Sequence, residues 1–466
     1  MKNKLYEILV VGSGLSSLTF IDAYLEKNKK IDVISFNKNK KNISQPNNQH
    51  IYKILPPQML GAEKQVKDYF YLNKILINPK SKFFGALEFG GLSNYWGLQI
   101  DKNILGDISH LTKKTQKKIY DSFIEIFKKY NLIGKLNNKV ENPFVRNEYI
   151  DRSFTKNDKE LFLDEPILAF QKKNKNKIKL NQINENKDKL TAFNFFKKNL
   201  KKKNIVFHDY FVEEIKDHKS GLHISCSNGI QKKIFITKKL ILGCGTLITT
   251  KLIMSYLNIS KEVKINHHPR LFSLYFSKKK WKNSMKFQPS HLHLKSKKSP
   301  FLFTADFRPG NKTIIDAIIK FKIFLVPFRF ILNFLREHFI FSNIFLEPKY
   351  GNLYMKRKDS MYKIYSPKKY TKKLFKTVNQ MIYKFLTDTK KIFPFFISYF
   401  PGYGADFHYF GTILMGKKKQ LSVNEKCQLH KNKKIYLIDG SVLNFRKNKY
   451  PLGLIMANSR RVGKEV

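Results

Sequence analysis

The sequence predicts an α/β fold: a mainly parallel, Rossmann-like sheet interrupted by an inserted α+β domain built on an antiparallel sheet. Three observations predict it. Residues 6–11 (Tyr-Glu-Ile-Leu-Val-Val) form a largely apolar run of strand length. They lead at once into Gly12-Ser13-Gly14-Leu15-Ser16-Ser17, an apolar-periodic stretch over 18–25 and a second strand over 31–36. Residues 239–242 repeat the arrangement as a buried strand ending in Gly243-Cys244-Gly245, with a helical pattern over 247–257 behind it. Residues 272–276, 291–294 and 302–307 read instead as strands of an antiparallel sheet. Apolar strands separated by helices pack as a parallel sheet with both faces covered.

The first strand–turn–helix–strand unit carries a chemical signal. Glycines at 12 and 14 permit a tight turn and let the backbone approach a pyrophosphate at the helix N-terminus. The third glycine of such a turn is here Ser17, small enough for close helix–strand packing. The acidic residue that would end the second strand and hold a ribose hydroxyl is Ser35, which can still donate and accept a hydrogen bond. An ordinary βα turn is the competing reading of this segment alone.

Composition bounds the rest. A chain of 466 residues is long enough for two or more domains, and 42% hydrophobic with 14% aromatic residues excludes a disordered protein. The net charge is +54, from 89 Lys and Arg against 35 Asp and Glu. Such a field attracts nucleic acid, anionic lipid or acidic substrates. Lysine is abundant throughout, however, and no nucleic-acid motif accompanies it, so solvated surface lysine is the reading and no nucleic-acid partner is expected. Cys226, Cys244 and Cys427 are too scattered for a disulfide framework or a metal site. Cys244, between two glycines, reads as a small buried residue. The first strand starts within five residues of Met1 and no uncharged apolar run approaches ~18 residues. Cytoplasmic location is therefore expected, with neither a signal peptide nor a spanning helix.

The remaining elements follow in order. Residues 37–60 read as irregular. Residues 83–97 hold Gly85, Gly90-Gly91-Leu92-Ser93-Asn94 and Tyr95-Trp96, a second glycine-rich loop. Ile119, Phe123, Ile126 and Phe127 fall at helical spacing, residues 136–190 carry few signals, and 190–200 reads as a helix. Strands are expected at 204–207 and 210–215, and a hairpin from 222–226 and 233–236. Asn266-His267-His268-Pro269 offers a histidine pair, but adjacent side chains diverge and no carboxylate is near in sequence, so a structural role is read. Residues 314–346 read as a basic amphipathic helix. Phe324, Phe328, Ile331 and Leu335 lie on one face, Lys322, Arg329, Asn333 and Arg336 on the other, and Pro327 marks a kink or start. That helix packs on its own sheet or lies on an anionic membrane surface; exposed Phe330, Phe334, Phe339 and Phe341 would favour the membrane.

Near the C-terminus, His408-Tyr409-Phe410-Gly411-Thr412 is followed by a short strand ending in Asp439-Gly440-Ser441, and then by Asn448-Lys449-Tyr450-Pro451-Leu452-Gly453. A lone His beside a Gly-Thr turn offers a proton acceptor near neutral pH. Together with the 12–17, 83–97, 239–245 and 266–269 segments, this resembles the glucose-methanol-choline (GMC) flavoprotein oxidoreductases.

The resemblance implies non-covalent FAD, because Tyr95 stands where some relatives carry a flavin-linked His. It assigns Gly12, Ser13, Gly14, Ser17, Ser35, Gly90, Gly91, Ser93, Asn94, Val212, Gly243, Asp439, Gly440, Pro451 and Leu452 to the cofactor. It makes His408 the base in oxidation of an alcohol, a sugar or similar polyol, by hydride transfer to flavin. The partner position before Pro451 is filled by Tyr450, with Asn448 as the alternative. The electron acceptor is open between quinone and oxygen, and a lipid-linked substrate is compatible with membrane contact. Two other readings stand beside this one: FAD held for non-oxidative chemistry, and a basic peripheral membrane protein without catalysis. The implied organisation is an FAD-binding domain in three parts (1–110, 191–270, 401–466), a connecting region (111–190) and a substrate domain (271–400).

Overall fold

Leu5–Val11 is the central strand of a seven-stranded sheet. It pairs in parallel with Lys232–Leu242 on one side and with Ile31–Ile34 on the other, and Ile205–His208 extends the parallel order. This computed structural model describes residues 4–36, 59, 61–78, 82–132, 135–136, 161–164, 166–171, 177–178, 183–281, 292–296, 302–312, 315–316, 319, 323–367, 372–388, 392–417, 419–447 and 449–466.

Ile8–Val11 and Ile31–Ile34 are buried without alternation, as strands covered on both faces must be. Leu15–Tyr24 packs against the C-terminal helix Leu452–Glu465. A Cβ on Gly463 would lie 2.5 Å from the Phe20 carbonyl oxygen, so glycine lets the two helices come this close. Lys232–Leu242 is one continuous strand where the sequence suggested two. Its first half pairs antiparallel with Gly221–Ser227, and its second half pairs in parallel with Ile435–Leu437 on the same edge. A change of partner along one edge lets the chain stay extended.

The second large sheet is antiparallel and six-stranded. Its order is Ile392–Tyr399, Arg270–Ser277, Phe339–Leu346, Phe303–Pro309, Leu292–Ser296, Leu161–Asp164. Leu271, Tyr275, Ile340, Ile344, Phe307 and Leu294 point to its back, where they bury Phe375, Val378 and Ile382 of the helix Lys372–Asp388. Period-two alternation therefore sends Arg270, Phe272, Asn343, Phe345, Asp306, Arg308 and His293 to the front face. Hydrogen bonding crosses the expected domain limits. Leu161–Asp164 comes from the connecting region. Leu353–Lys358 and Met361–Tyr365, from within 271–400, form a small sheet with Val263–Ile265 and Ile75–Ile77.

The expected helix over 314–346 is corrected. Residues Phe339–Leu346 are an inner strand, with Ile340, Ser342 and Ile344 turned back and Phe341, Asn343 and Phe345 turned forward. Apolar residues in that run satisfy both periods, and cross-strand packing selects the period of two. Ahead of it, the described residues from 323 on form short helical pieces, Ile323–Phe328 (containing Pro327), Arg329–Phe334 and Leu335–His338. Leu325, Leu332 and Leu335 turn inward with Ile315, Ile319 and Phe339 to cover the far end of the front face. Phe324, Phe328, Phe330, Ile331 and Phe334 turn out to solvent, and Phe330 is 83% exposed. Of the four aromatics whose exposure would favour a membrane, Phe330 and Phe334 are exposed, Phe339 is buried and Phe341 half-buried. Lys322 lies outside the described residues.

Candidate functional site

The two glycine turns meet backbone to backbone at the C-terminal ends of the parallel strands. Gly12 has φ +107°, and a Cβ there would sit 2.5 Å from the Gly243 carbonyl oxygen, so neither strain nor space admits a side chain. Ser17 Oγ donates to that same carbonyl at 3.1 Å and is fully buried. Ser17 thus clamps the first helix onto the second turn, behind the cleft.

In front, Ser35 Oγ donates to Ser13 Oγ at 2.6 Å, and Ser13 Oγ also accepts from the Gly90 N–H at 3.0 Å. The Leu15 N–H, the first of the helix, donates to Ser93 Oγ at 3.0 Å. Gly90 and Gly91 both have positive φ, which brings their loop down onto this helix end. These groups, together with Tyr210, Phe211, Val212 and Gly243 to Ile248, line an open cleft. Asn94 is turned into its own loop, donating to the Phe89 carbonyl at 2.7 Å.

The cleft fits a dinucleotide. The two glycine turns line it with bare backbone, the N-terminal end of the first helix attracts phosphate, and the hydroxyls of Ser13, Ser35 and Ser93 can serve phosphate or ribose. Cys244 borders it, but burial pushes its thiol up to about 12, and Sγ lies 3.3 Å from Thr249 Oγ1. It is an unreactive lining group.

Asp439 and Gly440 brace the junction beneath. Asp439 accepts from the Ser441 N–H at 3.0 Å and from Thr249 Oγ1 at 2.5 Å; burial raises its pKa. Gly440 accepts from the Gly411 N–H, and Ser441 accepts from the Ile413 N–H, which aligns the His408 segment with the Asp-Gly-Ser segment. Pro451 caps Leu452–Glu465, whose N-terminus closes this end of the site.

The second centre lies between the two large sheets. His408 follows Phe407, a non-glycine residue at φ +67° whose ring stacks on Phe84 at 4.5 Å. A left-handed non-glycine backbone is costly and is held here by packing. The His408 ring stacks on Phe345 at 5.0 Å and stands edge-on to Tyr450 at 6.4 Å. Tyr450 in turn stacks on His293 at 4.8 Å. The structure thus places the His408 and Tyr450 rings side by side; Asn448 lies outside the described residues.

Sequence reasoning missed His268 and His293. Asn266 exchanges backbone hydrogen bonds with Phe410, and its Nδ2 donates to the Gly411 carbonyl at 3.0 Å. This docks the 266–269 segment beside His408. His268 Nε2 bonds the Phe445 carbonyl at 2.9 Å, so Nε2 carries the proton and Nδ1 is the acceptor. His268 Nδ1 lies 3.4 Å from His408 Nδ1, an approach consistent with a His408 tautomer protonated at Nδ1 and bare at Nε2. His267 faces the other way, with Nδ1 2.6 Å from Asp406 Oδ2, while Asp406 Oδ1 accepts from the His408 N–H. Asn266 anchoring a residue far along the chain has no local sequence signal.

Electrostatics fit proton acceptance. Burial lowers the pKa of His408 to about 4; Asp406 opposes the shift and Arg270 adds to it. His293 is likewise lowered to about 4 by burial, and His268 falls well below its ordinary value for the same reason. Burial raises Tyr450 well above 10, so its phenol stays neutral and is no base.

No family model and no curated protein matches the sequence. Among solved structures, the chain is similar to pyridoxine 4-oxidase from Mesorbium loti, with a TM-score of 0.61 at 11% identity over 99% of both chains. The fold is therefore shared along the whole length, and the α/β architecture with an inserted antiparallel sheet is the one the GMC resemblance implied.

Proposed function

We propose that this protein is an FAD-dependent oxidoreductase acting on the CH–OH group of a small alcohol, with His408 as the proton acceptor. The carrying observation is the arrangement around His408: a buried imidazole whose Nδ1 lies 3.4 Å from His268 Nδ1, in the same chain segment as the Tyr409 that lines the cleft. The name of the structurally similar pyridoxine 4-oxidase points to the same class of reaction.

FAD, when bound, supplies the acceptor for the hydride leaving the carbinol carbon. The chain does the rest. Gly12, Gly14 and the Leu15 helix end hold the pyrophosphate, Ser35 the ribose, and the 90–93 loop closes over them. His408 Nε2 takes the hydroxyl proton, which requires it to lie within about 3 Å of that oxygen. Its low pKa keeps it unprotonated at pH 7, and the imidazolium formed is relieved by Asp406. Tyr450 and Phe345 fix the ring edge-on and face-on. The polar front face of the antiparallel sheet, with Asn343, Asp306 and Arg308, suits a polyhydroxylated alcohol such as a sugar. FAD is held non-covalently in this reading, and quinone or oxygen is the acceptor that reoxidises it.

We further propose that the outward aromatics Phe324, Phe328, Phe330 and Phe334 rest on an anionic membrane surface, to which a +54 chain is attracted. No helix among the described residues is long and apolar enough to cross a membrane. Flotation with anionic vesicles tests this. Binding that falls when these four residues become Ser supports it, and wild-type protein that stays soluble at low salt refutes it. The enzyme reading is tested by releasing the cofactor with acid. Yellow protein yielding FAD, bleached anaerobically by a panel of sugars and alcohols, supports it; colourless protein that does not bind added FAD refutes it. FAD that no alcohol bleaches would favour non-oxidative chemistry.

A further inference from the structure

Arg270 begins the second strand of the antiparallel sheet and points to its front face, opposite Phe345, whose ring lies on His408. The side chain is 7% exposed. Its guanidinium carbon lies over the Phe272 ring, 4.3 Å from its centre, and 5.6 Å from that of Phe407. Among the described residues it forms no ion pair, and its buried Nε has no hydrogen-bond partner.

The nearest carboxylates are engaged elsewhere. Asp406 bonds His267 and the His408 N–H. Asp306 accepts from Asn343 through one oxygen and from Gln99 and Arg308 through the other. Asp406 and Asp306 still attract the Arg270 cation through space, but neither forms an ion pair with it, and burial lowers its pKa; a buried cation without a direct partner is costly for a fold to hold. A guanidinium over an aromatic ring, with an unpartnered Nε–H, is also the group best suited to a carboxylate or phosphate.

Resting on the function proposed above, we infer that the alcohol substrate carries an oxyanion, a carboxylate or a phosphate, and that Arg270 binds it while His408 addresses the hydroxyl. Specificity then comes from the sheet face, and a neutral alcohol of the same shape leaves Arg270 unpaired.

Small anions on the FAD-loaded full chain test this without turnover. Acetate and inorganic phosphate are titrated against chloride at matched ionic strength, read by thermal unfolding and by the absorbance of the bound flavin. Wild type gains melting temperature with acetate or phosphate beyond chloride, and whichever anion binds more tightly identifies the oxyanion. Arg270→Met retains FAD, melts no lower than wild type without anion, and binds the anion about 30-fold more weakly or worse, the scale for removing one partner of a buried charge pair. Arg270→Lys recovers part of the binding. Equal anion responses in wild type and Arg270→Met overturn the inference. So does an Arg270→Met protein that melts several degrees lower in chloride, because the cation is then a compensated structural one. If Arg270→Met does not fold, wild type alone decides: no flavin perturbation by either anion overturns it. Turnover adds an independent arm, gluconate against glucose; failure of both to bleach flavin while acetate still binds through Arg270 faults the oxidation reading and leaves the anion site standing.

Discussion

Acid should destabilise this protein through its buried imidazoles before the glutamates paired with Arg460 titrate. His408 and His293 both fall to about 4 on folding, against about 6.5 in an unfolded chain. A depressed histidine pKa means that the unfolded state binds more protons between those two values. Stability is therefore fully present above about pH 6.5 and lost as pH falls toward 4. At pH 5 each histidine costs about 2 kcal/mol, so the pair removes about 4 kcal/mol between pH 7 and pH 5. His268 adds to this in the same direction. Glu125 and Glu26, held low by Arg460 and by Lys464 and Lys129, keep their contribution until well below pH 5. The assay is urea unfolding of the FAD-loaded protein at pH 7, 6 and 5, for wild type and His293→Leu. Leucine keeps much of the volume stacked on Tyr450 and removes a buried ring nitrogen, Nε2, that has no hydrogen-bond partner. The variant should lose about 2 kcal/mol less than wild type between pH 7 and pH 5. Identical pH dependence in the two proteins would refute the assignment of that loss to a buried neutral His293.

Two further outcomes follow from the site. Gly12→Ala places a Cβ 2.5 Å from the Gly243 oxygen at φ +107°, so the variant should lose FAD affinity and melt lower, by about 1–3 kcal/mol of strain; flavin content after gel filtration checks it. His268→Leu removes the acceptor for the His408 Nδ1 proton. It should keep FAD but reduce it about 10–100-fold more slowly, with a shifted pH–rate profile, whereas a purely structural role would leave that profile in place.

The Rossmann-like half of the fold was legible because its signals are local. Gly12, Gly14, Gly243 and the apolar strands beside them encode turn geometry and burial within a few residues of one another. His408 and Tyr450 were legible through the resemblance their segments carry. The strand Phe339–Leu346 was not, because an apolar run satisfies two periods until a neighbouring strand selects one. Nor was the role of His268, which depends on Asn266 meeting Gly411 far along the chain. Arg270 stayed hidden for a related reason. An arginine opening a strand is unremarked in sequence, and only the engagement of Asp306 and Asp406 with other partners leaves it alone in the site.

In the proposed reaction His408 accepts the substrate proton during an FAD-dependent oxidation. Stopped-flow reduction of the bound flavin under anaerobic conditions, with an alcohol that bleaches wild type, tests it most directly. His408→Ala should retain FAD and reduce it about 10²–10⁴-fold more slowly, the range for a positioned acid–base group. Tyr450→Phe, which removes a hydroxyl but no base, should lose less. Above pH 6 the wild-type rate should be flat with respect to this group, falling only as the solution approaches the His408 value of about 4. Reduction of His408→Ala at the wild-type rate would contradict the account.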